Sequence, residues 1–382
     1  MYIFNPEHDL CIANGDIHFV PPESALAFGR DCASIVKFMR GLDIDADNGI
    51  NKIVPWGWNS VLCDRLVKEG ISKELLPSDK QLIDIKNLSQ RMVAHEALEY
   101  LENKLKVLGE DLNHNIGIRQ IPSNYRIAAK SVDQVEQFLA ENQNVVLKAP
   151  LSGSGKGIRF VSQELSHSDS GWCKKLIAKH GYVVAEKRYQ PIMEFAMLFK
   201  CAAIAPDVAS VSDSAPKVEF VGYSLFYTQN GAYRGNILAS DNFIEEQITK
   251  YIPLDLLNDT KFRLMEFLKS KLSGKYEGFV GVDQFVCCNF AGSNESGASS
   301  ANGVLSAGNS SSADVTADRF LVFNPVVEIN LRMTMGLIAR NIYDRFAAEY
   351  NLTDGTQCFE ICRDIKEEKM VYSYRIADIC NL

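Results

Sequence analysis

Short apolar runs and amphipathic stretches alternate along the first part of the chain. Residues 2–4 and 53–54 are apolar runs that each end in a proline-containing loop, and they predict two short β-strands. An amphipathic stretch follows each loop, so helices are predicted over residues 23–40 and from an Asn59 cap to Gly70. Strand, loop and helix in this order are typical of a small parallel sheet with helices on its faces.

The polar loops after these two strands are candidate substrate-side segments. In parallel sheets, ligands collect at the carboxyl ends of the strands. The first loop contains Glu7, His8 and Asp9, and the second contains Trp56 and Trp58. A plain turn with solvated charges is the alternative for the first loop, and a solvated or core position is the default for an isolated histidine.

The pattern changes to strands in the middle of the chain. Helices are predicted over residues 88–105 and from a capping box of Ser131 and Gln134, with a strand-like piece at 125–128 between them. The apolar runs beyond them predict strands at residues 145–148, 157–161, 183–186, 195–202 and 217–227. A helix over residues 256–272 separates these strands from a last pair, at 278–286 and 320–330.

A low-complexity stretch lies between the last two predicted strands. Residues 291–315 are mostly Ser, Gly, Ala and Asn, which bury too little apolar surface to offset the entropy of ordering them. We therefore predict a mobile insertion between two strands that pair as a hairpin. Such a hairpin brings Asp283 on the first strand beside Glu328 and Asn330 on the second.

The last strand ends in the sequence Glu-Ile-Asn-Leu-Arg, residues 328–332. Side chains alternate between the two faces of a strand, so Glu328 and Asn330 point to the same side. A carboxylate and a carboxamide side by side offer the hard oxygen ligands that Mg²⁺ prefers. Arg332 can reach the same space and bind a phosphate or a carboxylate through two hydrogen bonds. The alternative is an edge strand with a solvated polar face.

A glycine-rich segment follows the predicted strand at residues 145–148. This strand ends at Lys148, and a loop with Gly153, Ser154, Gly155, Lys156 and Gly157 comes next. Glycines let backbone N–H groups approach an anion, and the lysines add positive charge for phosphate oxygens. The order of residues excludes a P-loop and a protein-kinase glycine loop. A glycine-rich hairpin turn is the alternative.

The linker after the predicted strand at residues 183–186 is a candidate nucleotide contact. Backbone groups of a short linker can pair with the edge of an adenine, and Glu186 can accept a hydrogen bond from its amine or from ribose hydroxyls. Lys187 follows directly. A surface cluster of salt bridges is the alternative for both residues.

Composition narrows the class of protein. With 382 residues, 46% hydrophobic and 23% charged, the chain is typical of a globular protein of two or three domains. Its net charge of -8 argues against nucleic-acid and anionic-membrane partners. Without an apolar run long enough for a membrane span, and without a signal-peptide pattern, we expect a cytoplasmic protein with reduced cysteines. The scattered cysteines and histidines predict no zinc site.

The ordered set of a strand lysine, a glycine loop, a Glu-Lys linker, an acidic strand and Glu-x-Asn-x-Arg resembles the ATP-grasp superfamily. This superfamily includes carboxylate–amine ligases such as D-alanine–D-alanine ligase and glycinamide ribonucleotide synthetase. The resemblance covers about residues 88–343. It implies an α/β fold in which a small parallel-sheet domain precedes a two-lobed ATP-grasp domain with antiparallel sheets. The expected units are residues 1–85, then 86–350 with the small lobe at about 125–190, and a C-terminal extension at 351–382.

The resemblance also implies roles for individual residues. Lys148 would bind the nucleotide phosphates and residues 153–157 would close over them, with Glu186 and Lys187 at the adenine and Glu194 near the ribose. Asp283, Glu328 and Asn330 would hold one or two Mg²⁺ ions bridging the phosphates of ATP. Arg332 would face the transferred phosphoryl group or the acid. Arg234 resembles arginine contacts near the acyl acceptor.

The implied activity is ATP-dependent ligation of a small carboxylic acid to an amine through an acyl phosphate, with release of ADP and phosphate. The glycine loop is short and no bicarbonate-site pattern follows Arg332, so carboxylase chemistry is disfavoured. Two alternatives remain open, a nucleotide-binding regulator or scaffold without turnover and an ATP-dependent phosphotransferase. A homodimer is also left open.

Overall fold

The computed structural model describes residues 1–43, 52–107, 118–152, 157–202, 217–229, 232–290, 319–366 and 369–379. The predicted insertion at 291–315 lies outside the described residues, as do Gly153, Ser154, Gly155 and Lys156 of the predicted phosphate loop. Within the described ranges, no helix has the length and apolar character that a membrane crossing requires.

Strands and helices alternate in the first half of the chain, and strands dominate the second. The strands are β1 (Tyr2–Ile3), β2 (Val54–Pro55), β3 (Ile118–Gln120), β4 (Arg126–Ala129), β5 (Asn144–Lys148), β6 (Ile158–Ser162), β7 (Val183–Lys187), β8 (Pro191–Ala202), β9 (Lys217–Gln229), β10 (Ala232–Leu238), β11 (Gly278–Phe290), β12 (Arg319–Asn330), β13 (Gln357–Lys366) and β14 (Lys369–Asp378). The α-helices are α1 (His8–Asn14), α2 (Glu23–Asp31), α3 (Val36–Met39), α4 (Ser60–Lys68), α5 (Asp79–Leu88), α6 (Arg91–Val107), α7 (Val132–Asn142), α8 (His167–His180), α9 (Asp241–Thr249), α10 (Leu254–Leu272) and α11 (Met335–Phe346).

The described strands form three sheets. β1 and β2 pair in parallel, with Tyr2 opposite Val54. An antiparallel sheet of four strands has the order β4-β7-β5-β6. The largest sheet has the order β14-β13-β10-β9-β8-β11-β12-β3, and its neighbours are antiparallel except for β12 and β3. The predicted fold class is therefore confirmed, with a small parallel pair at the N-terminus followed by two antiparallel sheets.

The eight-stranded sheet is packed on both faces. Side chains of β8 alternate, so Phe199 enters a cluster with Leu264 of α10 on one face. Leu198 enters a second cluster on the other face, together with Ile338 of α11 and Phe38 of the N-terminal segment. The N-terminal segment thus shares a hydrophobic core with the large sheet. The division into units at residues 85 and 350 stays a prediction.

Two predicted helices are interrupted. The helix expected over residues 23–40 is three pieces, α2, a 3₁₀ turn at Ala33–Ile35 and α3, because the buried Cys32 and Ile35 are drawn into the second cluster. The helix expected over residues 88–105 begins only at Arg91. The Ser89 hydroxyl donates to Ile85 O at 2.7 Å at the end of α5, and the Arg91 backbone N–H donates to Pro150 O.

The C-terminal residues lengthen the large sheet. Residues 351–382, predicted only as a C-terminal extension, contain β13 and β14, which pair from Gln357–Asp378 to Lys366–Lys369. β13 joins the sheet through β10, with Gly235 opposite Glu360. The sequence pattern also did not predict β3, β10, α1, α5, α8 and α9. His8 and Asp9, predicted in a loop, are the first residues of α1.

Candidate active site

The three residues predicted to bind a metal lie together on one face of β11 and β12. Asp283 is directly opposite Glu328, and Asn330 is opposite Gly281. The Asn330 side-chain amide donates to an Asp283 carboxylate oxygen at 3.0 Å. Because these positions are two residues apart on β12 and cross-strand neighbours, their side chains share one face. The predicted hairpin pairing is confirmed.

Asp283 and Glu328 form an electrostatically unfavourable pair. Burial, and then the charge of Glu328, raise the pKa of Asp283 to about 7, although Arg332 and the Asn330 amide oppose this rise. Its carboxyl is surrounded by protein even though part of the residue reaches solvent. A cation between the two carboxylates would relieve their repulsion.

The chemistry of this donor set fits Mg²⁺ when a nucleotide supplies further oxygens. Among the described residues, no group of three or more His, Cys, Asp and Glu side chains is arranged to hold a metal ion by itself. Two carboxylates and one carboxamide are the donors available at β11 and β12. Mg²⁺ commonly uses one or two protein carboxylates together with phosphate oxygens.

Lys148 is part of a buried ion cluster in the four-stranded sheet. Its ammonium lies 2.6 Å from one oxygen of Glu186, and Nε of Arg126 lies 2.8 Å from the other. All three residues are buried. Burial opposes ionisation of Glu186, but the charges of Arg126 and Lys148 outweigh it and lower the pKa of the carboxyl. Glu186 is therefore paired with Lys148, which is predicted to bind the phosphates, and the place at the adenine that the resemblance implies for Glu186 stays a prediction.

Arg126 connects the two larger sheets. Its Nη2 donates to the Tyr125 hydroxyl at 2.7 Å and to Val327 O of β12 at 2.8 Å. Its buried Nη1 has no hydrogen-bond partner among the described residues. A buried guanidinium N–H without a partner is costly unless a ligand accepts from it, so this atom marks a position for an anionic oxygen.

The two ends of the predicted phosphate loop are close together. The Ala149 N–H donates to Gly157 O at 2.8 Å. A Cβ atom at Gly157 would lie 2.4 Å from Cβ of Ser152, so the close approach of the two ends requires glycine there. Ile158, the residue after Gly157, lies opposite Lys148 where β5 and β6 pair.

Arg91 is a site residue that the sequence pattern did not single out. It opens α6 and is 5% exposed. Its Nε donates to Ala149 O and its Nη2 to the Ser152 hydroxyl, both at 3.0 Å. Its Nη1 lies 3.0 Å from a carboxylate oxygen of Glu328. Arg91 therefore bridges the start of the glycine loop and the candidate metal site.

Arg332 is held by the N-terminal segment. Its Nε lies 2.9 and 3.0 Å from the two carboxylate oxygens of Asp9, and its Nη1 donates to Met333 O at 3.1 Å. Burial opposes ionisation of Asp9, but Arg332 keeps the pKa of this carboxyl below its usual value. Asp9, on α1, therefore fixes Arg332 at the end of the Glu-x-Asn-x-Arg segment.

Hydrogen bonds close to Asp9 join the two N-terminal segments, residues 5–8 and residues 57–59. The Asn5 side chain donates to Gly57 O at 2.9 Å, and the buried His8 pairs with the Asn59 amide at 3.2 Å. Burial lowers the pKa of His8 to about 4, so its imidazole is neutral at pH 7. His8 has the core role that is the default for an isolated histidine.

These contacts surround a small cleft between α1, the start of the glycine loop and the end of β12. α1 contributes His8, Asp9 and Ile12, the start of the glycine loop contributes Leu151 and Ser152, and residues 328–331 form the floor. The cleft thus joins the candidate metal site to the Arg332–Asp9 pair.

The remaining predicted residues lie further out. Glu194 accepts from the Thr228 hydroxyl at 2.6 Å, and burial raises its pKa. Lys187 is half-buried, with its ammonium 5.6 Å from the Tyr189 ring centre. Arg234 is exposed on β10, which β9 and β8 separate from β11. At about 4.8 Å per strand, this distance is roughly 14 Å across the sheet, so the structure does not bring Arg234 to Arg332.

Comparisons with known proteins give matches in structure only. No protein-family model matches the chain, and no curated protein sequence matches it either. Biotin carboxylase from Campylobacter jejuni, solved with an ATP analogue, is 15% identical with a TM-score of 0.40, covering 84% of this chain and 60% of its own. N5-carboxyaminoimidazole synthetase from Staphylococcus aureus, solved with ADP, is 14% identical with a TM-score of 0.42, covering 96% and 82%.

A third structure is D-alanyl-alanine synthetase A from Vibrio cholerae. It is 12% identical with a TM-score of 0.36, covering 62% of this chain and 63% of its own. The chain spans 60% of the length of the biotin carboxylase that it matches. The resemblance of the ordered motifs to the ATP-grasp superfamily stays a prediction.

Proposed function

We propose that the chain is an ATP-grasp enzyme that ligates a small carboxylic acid to an amine at the expense of ATP. The observation that supports this most directly is that two opposite sets of charge face each other. Asp283 and Glu328 lie on the large sheet, and Arg91 and Lys148 lie at the start of the glycine loop, with Arg126 joined to Lys148 through Glu186. ATP with Mg²⁺ presents negative phosphates and a positive ion, which complement these two sets.

The cations bind the phosphates of the nucleotide in this proposal. Lys148 and the loop of residues 153–157 contact the phosphate chain, and the unpartnered Nη1 of Arg126 donates to a phosphate oxygen. Lys187 and Tyr189 contact the adenine base in this proposal, and Glu194 lies on the ribose side. The short distances among Lys148, Glu186 and Arg126 support a preformed anion site, since the ammonium and the guanidinium are already fixed.

Asp283, Glu328 and Asn330 hold one or two Mg²⁺ ions. When bound, Mg²⁺ and ATP supply the phosphoryl group and neutralise the charge that develops as it is transferred. Asp283 and Glu328 would contribute carboxylate oxygens and Asn330 its carboxamide oxygen; in the structure the Asn330 amide donates to Asp283. The raised pKa of Asp283 is consistent with a carboxyl that lacks its cation.

Arg332 orients the acid. Because its Nε and Nη1 are engaged by Asp9 and Met333 O, Nη2 is the donor that we assign to the substrate carboxylate. A carboxylate oxygen then bonds to the γ-phosphorus while the bond from that phosphorus to ADP breaks. The amine nitrogen attacks the acyl carbon, phosphate leaves, and the nitrogen loses a proton. Arg234 stays a candidate for the amine side.

The test measures ADP and phosphate release with pools of small carboxylic acids and amines, offered singly and together. A ligase releases ADP only when both an acid and an amine are present. Glu328→Gln is expected to lower that rate at least about 100-fold, since donors at a developing charge are typically worth 10² or more. Glu136→Gln, on the exposed face of α7, is the matched control and should behave like the parent.

The other possible results of this assay would each indicate a different function or a wrong assignment. ADP release with a single acceptor would identify a phosphotransferase. Tight ATP binding without ADP formation across the pools would identify a binding protein without turnover. If Glu328→Gln turns over like the parent, the metal assignment is wrong.

A further inference from the structure

Arg91 and Glu328 form an ion pair at the point where metal and nucleotide would meet. We infer that Arg91 is a nucleotide-phosphate ligand that Glu328 holds in the absence of a metal ion, so that metal binding to Glu328 releases Arg91 for the phosphate. This inference rests on the proposed nucleotide site. It adds that the metal and the nucleotide bind cooperatively through one exchange of partners.

The guanidinium of Arg91 is fixed by contacts that do not involve Glu328. The backbone N–H donates to Pro150 O, Nε donates to Ala149 O and Nη2 donates to the Ser152 hydroxyl, each at 3.0 Å. Only Nη1 faces Glu328. When Glu328 turns away, Arg91 therefore stays in place, with the Nη1 N–H directed toward the candidate metal site.

Glu328 has two competing partners. It pairs with Arg91 at 3.0 Å, and it also lies opposite Asp283 on the face that we assign to the metal. Its side chain is 29% exposed, compared with 5% for Arg91, so the carboxylate has more room to move than the guanidinium. A metal ion that takes this carboxylate leaves the cation of Arg91 without its ion-pair partner.

A buried cation without a counter-charge is strongly unfavourable, and a phosphate oxygen removes that cost. Without the metal, Glu328 both occupies Arg91 and repels the phosphates. With a metal ion bound to Glu328, Arg91 can bind the phosphate and the carboxylate charge is neutralised. Since coupling between two sites is reciprocal, the nucleotide must raise metal affinity by the same factor. Couplings of this kind typically amount to about 5–150-fold in affinity.

The coupling predicts an effect that a simple metal ligand would not give. Glu328→Gln should bind ADP in EDTA more tightly than the parent, by about tenfold, because the neutral side chain no longer competes for Arg91. The same variant should lose most of the gain that Mg²⁺ gives the parent. Affinities would be measured by isothermal titration of ADP into the full-length protein, in EDTA and in Mg²⁺, with Glu136→Gln as control.

A second substitution assigns the gain to Arg91. Adding Arg91→Met to Glu328→Gln should abolish the increase in ADP affinity in EDTA, whereas adding Arg91→Lys should retain part of it because the positive charge remains. Thermal melting identifies any variant that fails to fold. If the double variant with Arg91→Met does not fold, the ADP affinity in EDTA of the double variant with Arg91→Lys is compared with that of the single variant Glu328→Gln. This comparison then decides whether Arg91 carries the gain.

Failure of the proposed nucleotide site and failure of the exchange of partners give different results. If the parent does not bind ADP in Mg²⁺, the proposed nucleotide site is wrong. If the parent binds ADP in Mg²⁺ but Glu328→Gln binds it in EDTA no more tightly than the parent, the exchange of partners is refuted and the nucleotide site stands. A gain in affinity that persists without a cation at position 91 would also refute the exchange.

Discussion

Replacing Asp283 by asparagine should make the protein more stable above neutral pH. Burial and the charge of Glu328 raise the pKa of Asp283 from 3.8 to about 7 in the folded protein. The folded state therefore holds a proton on this carboxyl that the unfolded chain has already released. The resulting stabilisation is complete below about pH 4 and is lost as the pH rises through about 7.

The size of the effect follows from the shift. One pKa unit corresponds to about 1.4 kcal/mol. Between about pH 5 and about pH 8, ionisation of Asp283 should cost the parent up to about 2–3 kcal/mol of stability. Asn cannot ionise, and its amide oxygen can still accept from Asn330. The difference in free energy of unfolding between Asp283→Asn and the parent should therefore rise by this amount across the range, in favour of the variant.

Urea denaturation followed by tryptophan fluorescence, repeated at several pH values in EDTA, measures this difference. Asp364→Asn, at an exposed position on β13, is the control and should track the parent at every pH. A difference between Asp283→Asn and the parent that does not change with pH would refute the electrostatic account of the site. Added Mg²⁺ with ADP should stabilise the parent at alkaline pH more than the variant, because only the parent offers both carboxylates.

Two further predictions concern the frame of the site. Arg126→Met should lower the free energy of unfolding by about 3 kcal/mol or more, because it leaves Glu186 buried without its guanidinium; urea denaturation measures this, and parent-like stability would contradict it. Gly57→Ala should cost about 1–3 kcal/mol in the same assay, because the new Cβ would lie 2.6 Å from atoms of the His8 ring. Gly171→Ala, at an open position of α8, is the matched control and should be neutral or gain up to about 1 kcal/mol; an equal loss in both variants would count against the close contact.

The residues of the candidate metal site were predictable because strand geometry is regular. Side chains two apart on a strand share a face, which fixes Glu328 relative to Asn330. Antiparallel pairing of two neighbouring strands then brings Asp283 opposite Glu328, as the structure has it. Both rules depend only on local sequence and on one hairpin, so the intervening insertion does not disturb them.

Arg91 was not predictable in the same way. In the sequence it is one polar position in a stretch that predicts a continuous helix over residues 88–105. The helix begins at Arg91 because its backbone N–H is bonded to Pro150 O, a contact with a segment about sixty residues away. Tertiary contacts of this kind override helix periodicity and leave no local pattern in the sequence.

The C-terminal hairpin escaped prediction for a related reason. Alternation is weak along β13, since Cys358, Phe359, Glu360 and Ile361 are all buried. Both faces of the strand are covered, so an apolar run broken by a glutamate does not have the pattern of a half-exposed strand. Glu360 is tolerated there because the Tyr227 hydroxyl donates to it at 2.7 Å.

The charged residues of the site are each predictable as candidates, but their partners are not. Lys148 is paired with Glu186, Arg332 with Asp9, and Glu328 with Arg91. Partners that lie far apart in the sequence meet only in the folded chain. These ion pairs neutralise the charged side chains of the site before any ligand binds. Binding of an anionic ligand must therefore replace protein–protein pairs, and its affinity reports the difference between the old and new contacts. For this reason, removing a carboxylate from such a site can strengthen binding of the free nucleotide even while it removes a metal ligand.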